Sequence, residues 1–294
     1  MYQAKKEGRG TTSFYQMDMD RWIKQRLQLE QDLRSAIDAD ELQLYYQPVV
    51  DFTTREVIGA EALLRWDHQV HGFVSPEEIV SLAEETGLIV PLGRWVLETA
   101  CRQLRTWCDE YTSAQPLQKL TVNVSTREFN REDYVETVLS TLARYDVNPA
   151  LITLELTESI IVDRLEDTVE KMTQLRQHGI GIAIDDFGTG YSSLSYLKKL
   201  PFTTLKIDRS FTMDLPYDAD DATLIETIIA IAKKFDFYVI AEGVETYEQH
   251  EFLSKHDCDA FQGYLCSRPL PPDRFMALKQ TYHGTCNKIP DDVR

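Results

Sequence analysis

IGIAIDDFGTGYSSL, residues 180–194, is the stretch on which the reading of this chain turns. Ile180, Ile182 and Ile184 with Ala183 form a short apolar, β-branched run of the kind a buried parallel strand uses, and Asp185 and Asp186 end it. Two adjacent carboxylates at a strand end repel unless something offsets their charge. A divalent cation does so, because hard oxygen ligands suit Mg²⁺ or Mn²⁺. Gly188, Thr189 and Gly190 then supply a loop free to take unusual backbone angles, and Ser192 or Ser193 can cap the next helix. A surface Asp-Asp-x-Gly turn is the competing reading, and the stretch alone does not decide between them.

The surrounding chain repeats the same rhythm of apolar run, loop and helical pattern. Strands are predicted at 42–50, 57–66, 119–125, 151–157, 180–186, 203–208, 237–242 and 260–265. Between them lie helices with apolar stripes: Leu97, Cys101, Leu104 and Cys108; Leu165, Val169, Met172 and Leu175; Leu224, Ile228, Ile231 and Phe235. Eight strands alternating with helices predict an α/β fold, a TIM-like (β/α)8 barrel. A doubly wound open sheet is the alternative, but no GxGxxG turn follows the first strand.

The polar residues fall where a barrel would use them. Alternate residues of a strand share a face, so Glu61 and Arg65 point one way and Ala62 and Leu64 the other. The same spacing joins Asn123 with Ser125, Glu155 with Thr157, and Lys206 with Asp208, each near the C-terminal end of its strand. With Asp185, Asp186, Glu242 and Gln262 they give one polar rim, which is where barrel active sites lie. Glu61, Asn123, Glu155 and Asp185 are all oxygen donors, a ligand set for Mg²⁺ or Mn²⁺ and not for zinc. Asp186 and Glu242 could hold a second ion, with Asp185 bridging. Two such ions would make hydroxide from water and clamp both oxygens of an in-line phosphoryl displacement. Lys206 is then a base or orienting group for that water, or a cation that steadies the pentacovalent charge. Taken singly, each has a plainer reading: a solvated lysine, an ordinary turn at Glu242-Gly-Val-Glu245, a structural pair of Arg65 with Glu61.

Composition narrows the classes. The 294 residues suffice for one large domain or two small ones. A net charge of −17 argues against binding a nucleic-acid polymer, which needs a basic footprint. No run approaches the roughly 18 apolar residues of a membrane span, and the polar start MYQAKKEGRG is no signal peptide, so no membrane contact is expected from this stretch. Cys101, Cys108, Cys258, Cys266 and Cys286 form no CxxC pair; Cys101 and Cys108 read as helix core, and a reducing, cytoplasmic setting fits. From Met19 to Ile37 a charged helical pattern carries Ile23, Leu27, Leu33 and Ile37 as its apolar stripe and is expected to pack on one side.

In order along the chain, Gln47-Pro48, Glu61-Ala62-Leu63 with Leu64-Arg65-Trp66, Asn123-Val124-Ser125, Glu155-Leu156-Thr157-Glu158, Asp185-Asp186-Phe187-Gly188-Thr189-Gly190, Lys206-Ile207-Asp208, Glu242-Gly243-Val244-Glu245 and Gln262-Gly263-Tyr264 match a known set. The chain resembles an EAL-domain cyclic di-GMP phosphodiesterase over roughly residues 26–283. The resemblance implies a barrel whose first strand runs antiparallel to the others. It also implies hydrolysis of one phosphodiester bond of cyclic di-GMP to give linear pGpG, with two Mg²⁺ or Mn²⁺ ions per site. Glu61, Asn123, Glu155 and Asp185 would hold one ion, and Asp185, Asp186 and Glu242 the other. Lys206 would contact the nucleophilic water, Gln262 would line the metal and water site, and Gln47, Pro48 and Arg65 would contact the nucleotide. Glu158 would brace the loop from Asp186 to Ser193, which lies near the family's dimer contact, so a homodimer is expected. Glu245 would support the metal shell.

Residues 1–17 resemble the end of a GGDEF (diguanylate cyclase) domain, against the alternative of an amphipathic leader helix. The expected organisation is therefore a GGDEF remnant at 1–17, a connecting helix at 18–38, an EAL phosphodiesterase domain at 39–283 and a tail at 284–294, in a fragment of a longer protein whose parent could be membrane-anchored. Two other functions compete. A cyclic di-GMP receptor that does not hydrolyse would typically have lost the acidic ligands, which this chain keeps. A purely structural barrel would leave the acidic rim unexplained. A kinase reading of Asp186-Phe187-Gly188 fails, since no Gly-rich strand loop or HRD loop accompanies it.

Overall fold

The structure is a computed structural model that describes residues 17–110, 117–158, 160, 165–188 and 199–282, with side chains in the first helix from Lys24 onward. The stretches 1–16 and 283–294, which hold most of the expected GGDEF remnant, the tail and Cys286, lie outside the described residues, as do Thr189, Gly190, Ser192 and Ser193.

Among the described residues the strands are β1 (Gln43–Asp51), β2 (Val57–His68), β3 (Gly72–Val74), β4 (Lys119–Val124), β5 (Ile152–Thr157), β6 (Gly181–Phe187), β7 (Thr204–Ile207), β8 (Tyr238–Ala241) and β9 (Ala260–Gln262). They form one sheet in the order β1-β9-β8-β7-β6-β5-β4-β2-β3, and β1 also pairs with β2, so eight strands close into a barrel. The neighbours from β2 through β4 to β9 run parallel, and β1 is antiparallel to both β2 and β9. This is the barrel expected from the alternation of strands and helices, with its first strand reversed. Reversal brings the N-terminal half of β1 to the rim where the parallel strands end, and so delivers Gln47 opposite Glu61.

Pro48 fits this strand because of where its missing N–H falls. Tyr46 exchanges hydrogen bonds with Leu270, and β1 pairs with β9 from Val49 onward, so Pro48 lies between the two sets of bonds. β3 was not expected: it is a short hairpin return on β2, too brief and too rich in glycine and polar neighbours to give a strand signal. β9 ends at Gln262 and not at Leu265, because Cys266 and Ser267 both turn back to the Gly263 carbonyl.

The strand faces that point outward pack on the helices through one continuous core, with Leu154, Leu156, Ile182 and Ile184 meeting Leu104, Met172 and Leu175 among others. Inside the barrel, Val49, Ile240 and Ala260 form a separate small cluster with Ile58 and Tyr238. Ile240 aligns with Lys206, so this apolar plug shares a face with the polar rim.

Several expected stripes shift. Cys108 is exposed, and Trp107 takes the buried place because the helix rolls toward the Tyr46 ring, 4.7 Å away. On the helix Ala219–Lys234 the buried stripe is Ile225, Ile228, Ile229 and Ala232, leaving Leu224 and Phe235 exposed. On the helix Met17–Ala39 it is Leu29, Leu33 and Ala36, while Leu27 is exposed. In each case apolar residues outnumber the places one face offers, and pattern alone does not choose among them.

Candidate functional site

Lys206, on β7, is only 2% exposed and lies inside a ring of carboxylates. Its Nζ is 2.6 Å from Glu155 Oε1, 3.1 Å from Glu61 Oε2, 2.5 Å from Glu242 Oε1 and 3.9 Å from Asp185 Oδ1. These acids come from β2, β5, β6 and the end of β8, so closure of the barrel is what brings them together. Asn123 on β4 donates its Nδ2 to Glu61 Oε1 at 2.6 Å, which leaves its carbonyl oxygen as the end free to meet a cation. Gln262 donates to Glu61 Oε2 at 2.6 Å and to Gln47 Oε1 at 3.0 Å, and Gln47 donates in turn to the Ser267 carbonyl at 3.4 Å.

The adjacent Asp185 and Asp186 pose a geometric problem, because neighbours in a regular strand face opposite ways. A β-bulge resolves it. Ile184 aligns with Leu205 and Phe187 with Ile207, so both aspartates oppose the single residue Lys206. Asp186 takes the left-handed backbone at φ 54°, a conformation aspartate tolerates better than most side chains. Gly188 follows at φ 101°, where a Cβ would stand 3.0 Å from the Phe211 ring, so glycine is required.

Short caps fix the rim. Ser125, two residues after Asn123, and Thr246, four after Glu242, each head a helix with a reciprocal capping box. Asp208, two after Lys206, caps the turn Arg209–Thr212 through Ser210. Gln249 then joins two of these turns. It is buried, its Nε2 donates to the carbonyls of Thr212 and Met213 at 3.0 and 3.1 Å, and its Oε1 accepts from the backbone of Glu245 and Thr246 at 2.7 and 2.9 Å. The Thr212 hydroxyl donates to the Glu242 carbonyl. Thr212 and Gln249 carry no charge and escape a search for chemistry in the sequence; the Thr-x-x-Gln capping signature was the available sign of the second.

Four carboxylates around one ammonium cannot all be ionised comfortably. Burial, then the charge of Glu61, pushes the Glu155 carboxyl well above its usual range; burial raises Glu242 to about 8 against the pull of Lys206; burial and Asp185 raise Asp186 to about 6. Glu61 goes the other way: burial opposes it, but Lys206, Gln262 and Asn123 together hold its pKa below normal. Lys206 is desolvated, yet Glu155, Glu242 and Glu61 hold its pKa well above the usual lysine value. The cluster therefore holds either protons or cations. Glu61, Glu155 and Glu242 offer ligand oxygens within 4.8 Å of one another. Among the described residues, Glu155 Oε2 and Asp185 Oδ1 are buried without a hydrogen-bond partner. An all-oxygen set with orphaned acceptors fits a hard divalent cation.

The other expected residues divide. Arg65 does not pair with Glu61; its Nη1 donates to the Leu64 carbonyl at 2.7 Å and its guanidinium lies 5.6 Å from the centre of the Tyr45 ring, at the mouth. Strand alternation turns Pro48 to the face opposite Gln47 and away from the cluster. Glu158 is buried at the end of β5, with its Oε2 unpartnered among the described residues; most of the loop it was expected to brace lies beyond them. Glu245 lies three residues after Glu242, and Arg209 pairs with its carboxylate at 2.9 Å.

Residues 30–269 match the EAL domain family. The chain is 43% identical over 277 residues to the bifunctional diguanylate cyclase/cyclic di-GMP phosphodiesterase MucR of Pseudomonas aeruginosa, an alignment covering 94% of this chain and 40% of that protein. It is 39% identical over 271 residues to the cyclic di-GMP phosphodiesterase NbdA of the same organism, covering 92% and 34%. The chain thus spans less than half the length of these curated relatives. Among solved structures, the PaMucR phosphodiesterase in complex with c-di-GMP superimposes with a TM-score of 0.80 at 44% identity, over 84% of this chain and 99% of that one.

Proposed function

Since this chain belongs to the EAL domain family, we propose that it is a metal-dependent phosphodiesterase that opens cyclic di-GMP to linear pGpG. The observation that carries the reading is the convergence of Glu61, Glu155, Asp185 and Glu242 on Lys206 at the barrel rim. The names of the relatives agree with it.

In this reading Glu61, Asn123, Glu155 and Asp185 would hold one Mg²⁺ or Mn²⁺, and Asp185, Asp186 and Glu242 would hold the second. When bound, such ions lower the pKa of water and offset the charge of a phosphodiester. The chain's own residues do the rest. Lys206 aims its ammonium at Glu155, Glu61 and Glu242, and beside the ions it would donate a hydrogen bond that orients the attacking water. Gln262 holds Glu61 in place and Gln47 holds Gln262, while Arg65 at the mouth meets the dinucleotide. Glu242 is anchored through its backbone by Thr212.

Wider features belong to the same proposal: a homodimer formed near the loop after β6, a cytoplasmic setting, residues 1–17 as the end of a GGDEF domain, 18–38 as a connecting helix and 39–283 as the catalytic domain. No helix among the described residues is long and apolar enough to cross a membrane. The test is to incubate the protein with cyclic di-GMP and Mg²⁺ or Mn²⁺, with an EDTA control, and to resolve the products by chromatography. pGpG formed only with metal is expected. Glu61→Ala should abolish its formation while the circular dichroism of the fold is retained, and pGpG near the starting rate in that variant would refute the metal assignment. Intact cyclic di-GMP in all samples, with binding demonstrated separately, would make the protein a receptor.

A further inference from the structure

Asn123 is the one uncharged oxygen donor among the expected ligands, and β4 ends one residue after it. Ser125 then heads the four-residue helix Thr126–Phe129. A cavity of about 30 Å³ lies alongside, lined by Gly93, Leu97, Asn123, Val124, Glu128 and Tyr134 among others. Packing is therefore incomplete around the end of β4, and atoms that line a void have no contacts on that side to hold them. The contacts that fix this end of the strand are polar.

Three side chains hold the short helix from three directions. Arg127 donates from Nη1 to the Glu84 carbonyl at 2.7 Å, which ties it to the helix Pro76–Thr86. Glu128 is 9% exposed and turns its carboxylate back to Ser125: its Oε2 accepts from the Ser125 hydroxyl at 2.7 Å and from the Ser125 N–H at 3.3 Å. The carboxylate is seated on the helix Ile89–Glu110 at Gly93, where a Cβ would stand 1.5 Å from Glu128 Oε1. Lys171, on the helix Leu165–Gln177, is 7% exposed; it donates to the Phe129 carbonyl at 3.1 Å and pairs with Asp167 at 3.0 Å. Burying a carboxylate and an ammonium is costly unless each is partnered. Here both find partners in the turn that directly follows Asn123.

We propose that Glu128 and Lys171 are positioning residues for Asn123. By fixing the turn from Ser125 to Phe129 they hold the Asn123 amide where its nitrogen donates to Glu61 and its oxygen faces a cation. The proposal rests on the metal reading of the acidic cluster and adds the supports behind its neutral ligand. Removal of groups that orient a metal ligand weakens metal binding by about 10–100-fold.

The experiment is a calorimetric titration of the whole chain with Mn²⁺, with urea unfolding run alongside so that only folded variants are compared. Asn123→Ala marks the binding step in which Asn123 takes part. Glu128→Ala and Lys171→Met should each raise the Kd of that step about tenfold. Glu128→Gln can close the same capping box and should stay within about twofold of the wild type. If Glu128→Ala does not fold, Ser125→Ala opens the box from its other side and should shift the Kd in the same direction. The double variant Asn123→Ala/Glu128→Ala should bind as Asn123→Ala does, because a support acts only through the ligand it supports. A merely structural turn would lower the unfolding midpoint and leave the Kd unchanged, or its penalty would add in full in the double variant; either result overturns the proposal. Wild-type protein that binds no Mn²⁺ would overturn the metal reading, and the proposal with it.

Discussion

Lys206 carries one positive charge into a pocket where four carboxylates come within ion-pair distance. Removing one member of such a buried set leaves the others uncompensated, at a cost of roughly 3–5 kcal/mol. Lys206→Met should therefore lower unfolding stability by that order in EDTA, read by urea denaturation, and Mn²⁺ should restore part of it because the ion binds only the folded state. Turnover should fall further than metal affinity does; an equal fall in both would reduce Lys206 to a structural partner. Glu128 gives a second test. It is buried in the capping box after Asn123, against Gly93, and burial lifts its pKa to about 7 despite hydrogen bonds from Ser125. A raised carboxyl pKa means that the folded state favours the protonated form. Its contribution to stability is thus complete below the unfolded value near 4.5 and is lost as pH rises through about 7. Glu128→Gln should match the wild-type Tm at pH 4 and exceed it at pH 8; identical Tm values at both would show that the carboxyl titrates normally.

Among the elements, β6 and the turns after β7 and β8 determine whether the acids can meet. The bulge lets two consecutive aspartates oppose one lysine, and Gln249 holds the turn after Lys206 against the turn after Glu242 with four hydrogen bonds. Gln249→Leu strands buried backbone groups, each worth about 1–3 kcal/mol when unsatisfied. The expected result is a stability loss of a few kcal/mol together with a kcat at least about tenfold lower, since small displacements at a reacting centre are costly. A folded variant with wild-type kcat would show that the two turns keep their places without it.

At the scale of the whole molecule the barrel is closed by β1, and the helix Met17–Ala39 is packed on it from outside. Leu33 and Ala36 of that helix are fully buried. Arg26 pairs with Glu85 at 2.6 Å, and Asp32 meets His68, at the end of the strand that carries Glu61, at 3.2 Å. The helix is thus part of the folded body and does not hang free of it. Leu33→Ala should cost about 3 kcal/mol, the scale of a core leucine truncation, measured by urea unfolding in a single transition. A loss below about 0.5 kcal/mol would mean that the helix docks too weakly to report on anything attached to it.

The strands, the barrel class and the acidic rim were legible in the sequence because a period of two and a period of 3.6 are local properties, and because a polar residue ending an apolar run stands out against it. Glu61, Asn123, Glu155, Asp185, Lys206, Glu242 and Gln262 could be read off in that way, and the structure brings them together. Other features depended on packing. Which of several apolar residues on the helix Ala219–Lys234 are buried depends on how the helix is rolled against β7 and β8, and no residue of the helix encodes that roll by itself. The bulge at Asp185 and Asp186 exists relative to a partner strand, so it has no signature in β6 alone. The partner of Glu245 and the face on which Pro48 lies are set by the fold in the same way: Arg209 meets the first, and the alternation of β1 turns the second from the face of Gln47. Residue type and spacing determined what chemistry was available to this chain, and ring closure, which aligns strands far apart in sequence, decided which groups share one site.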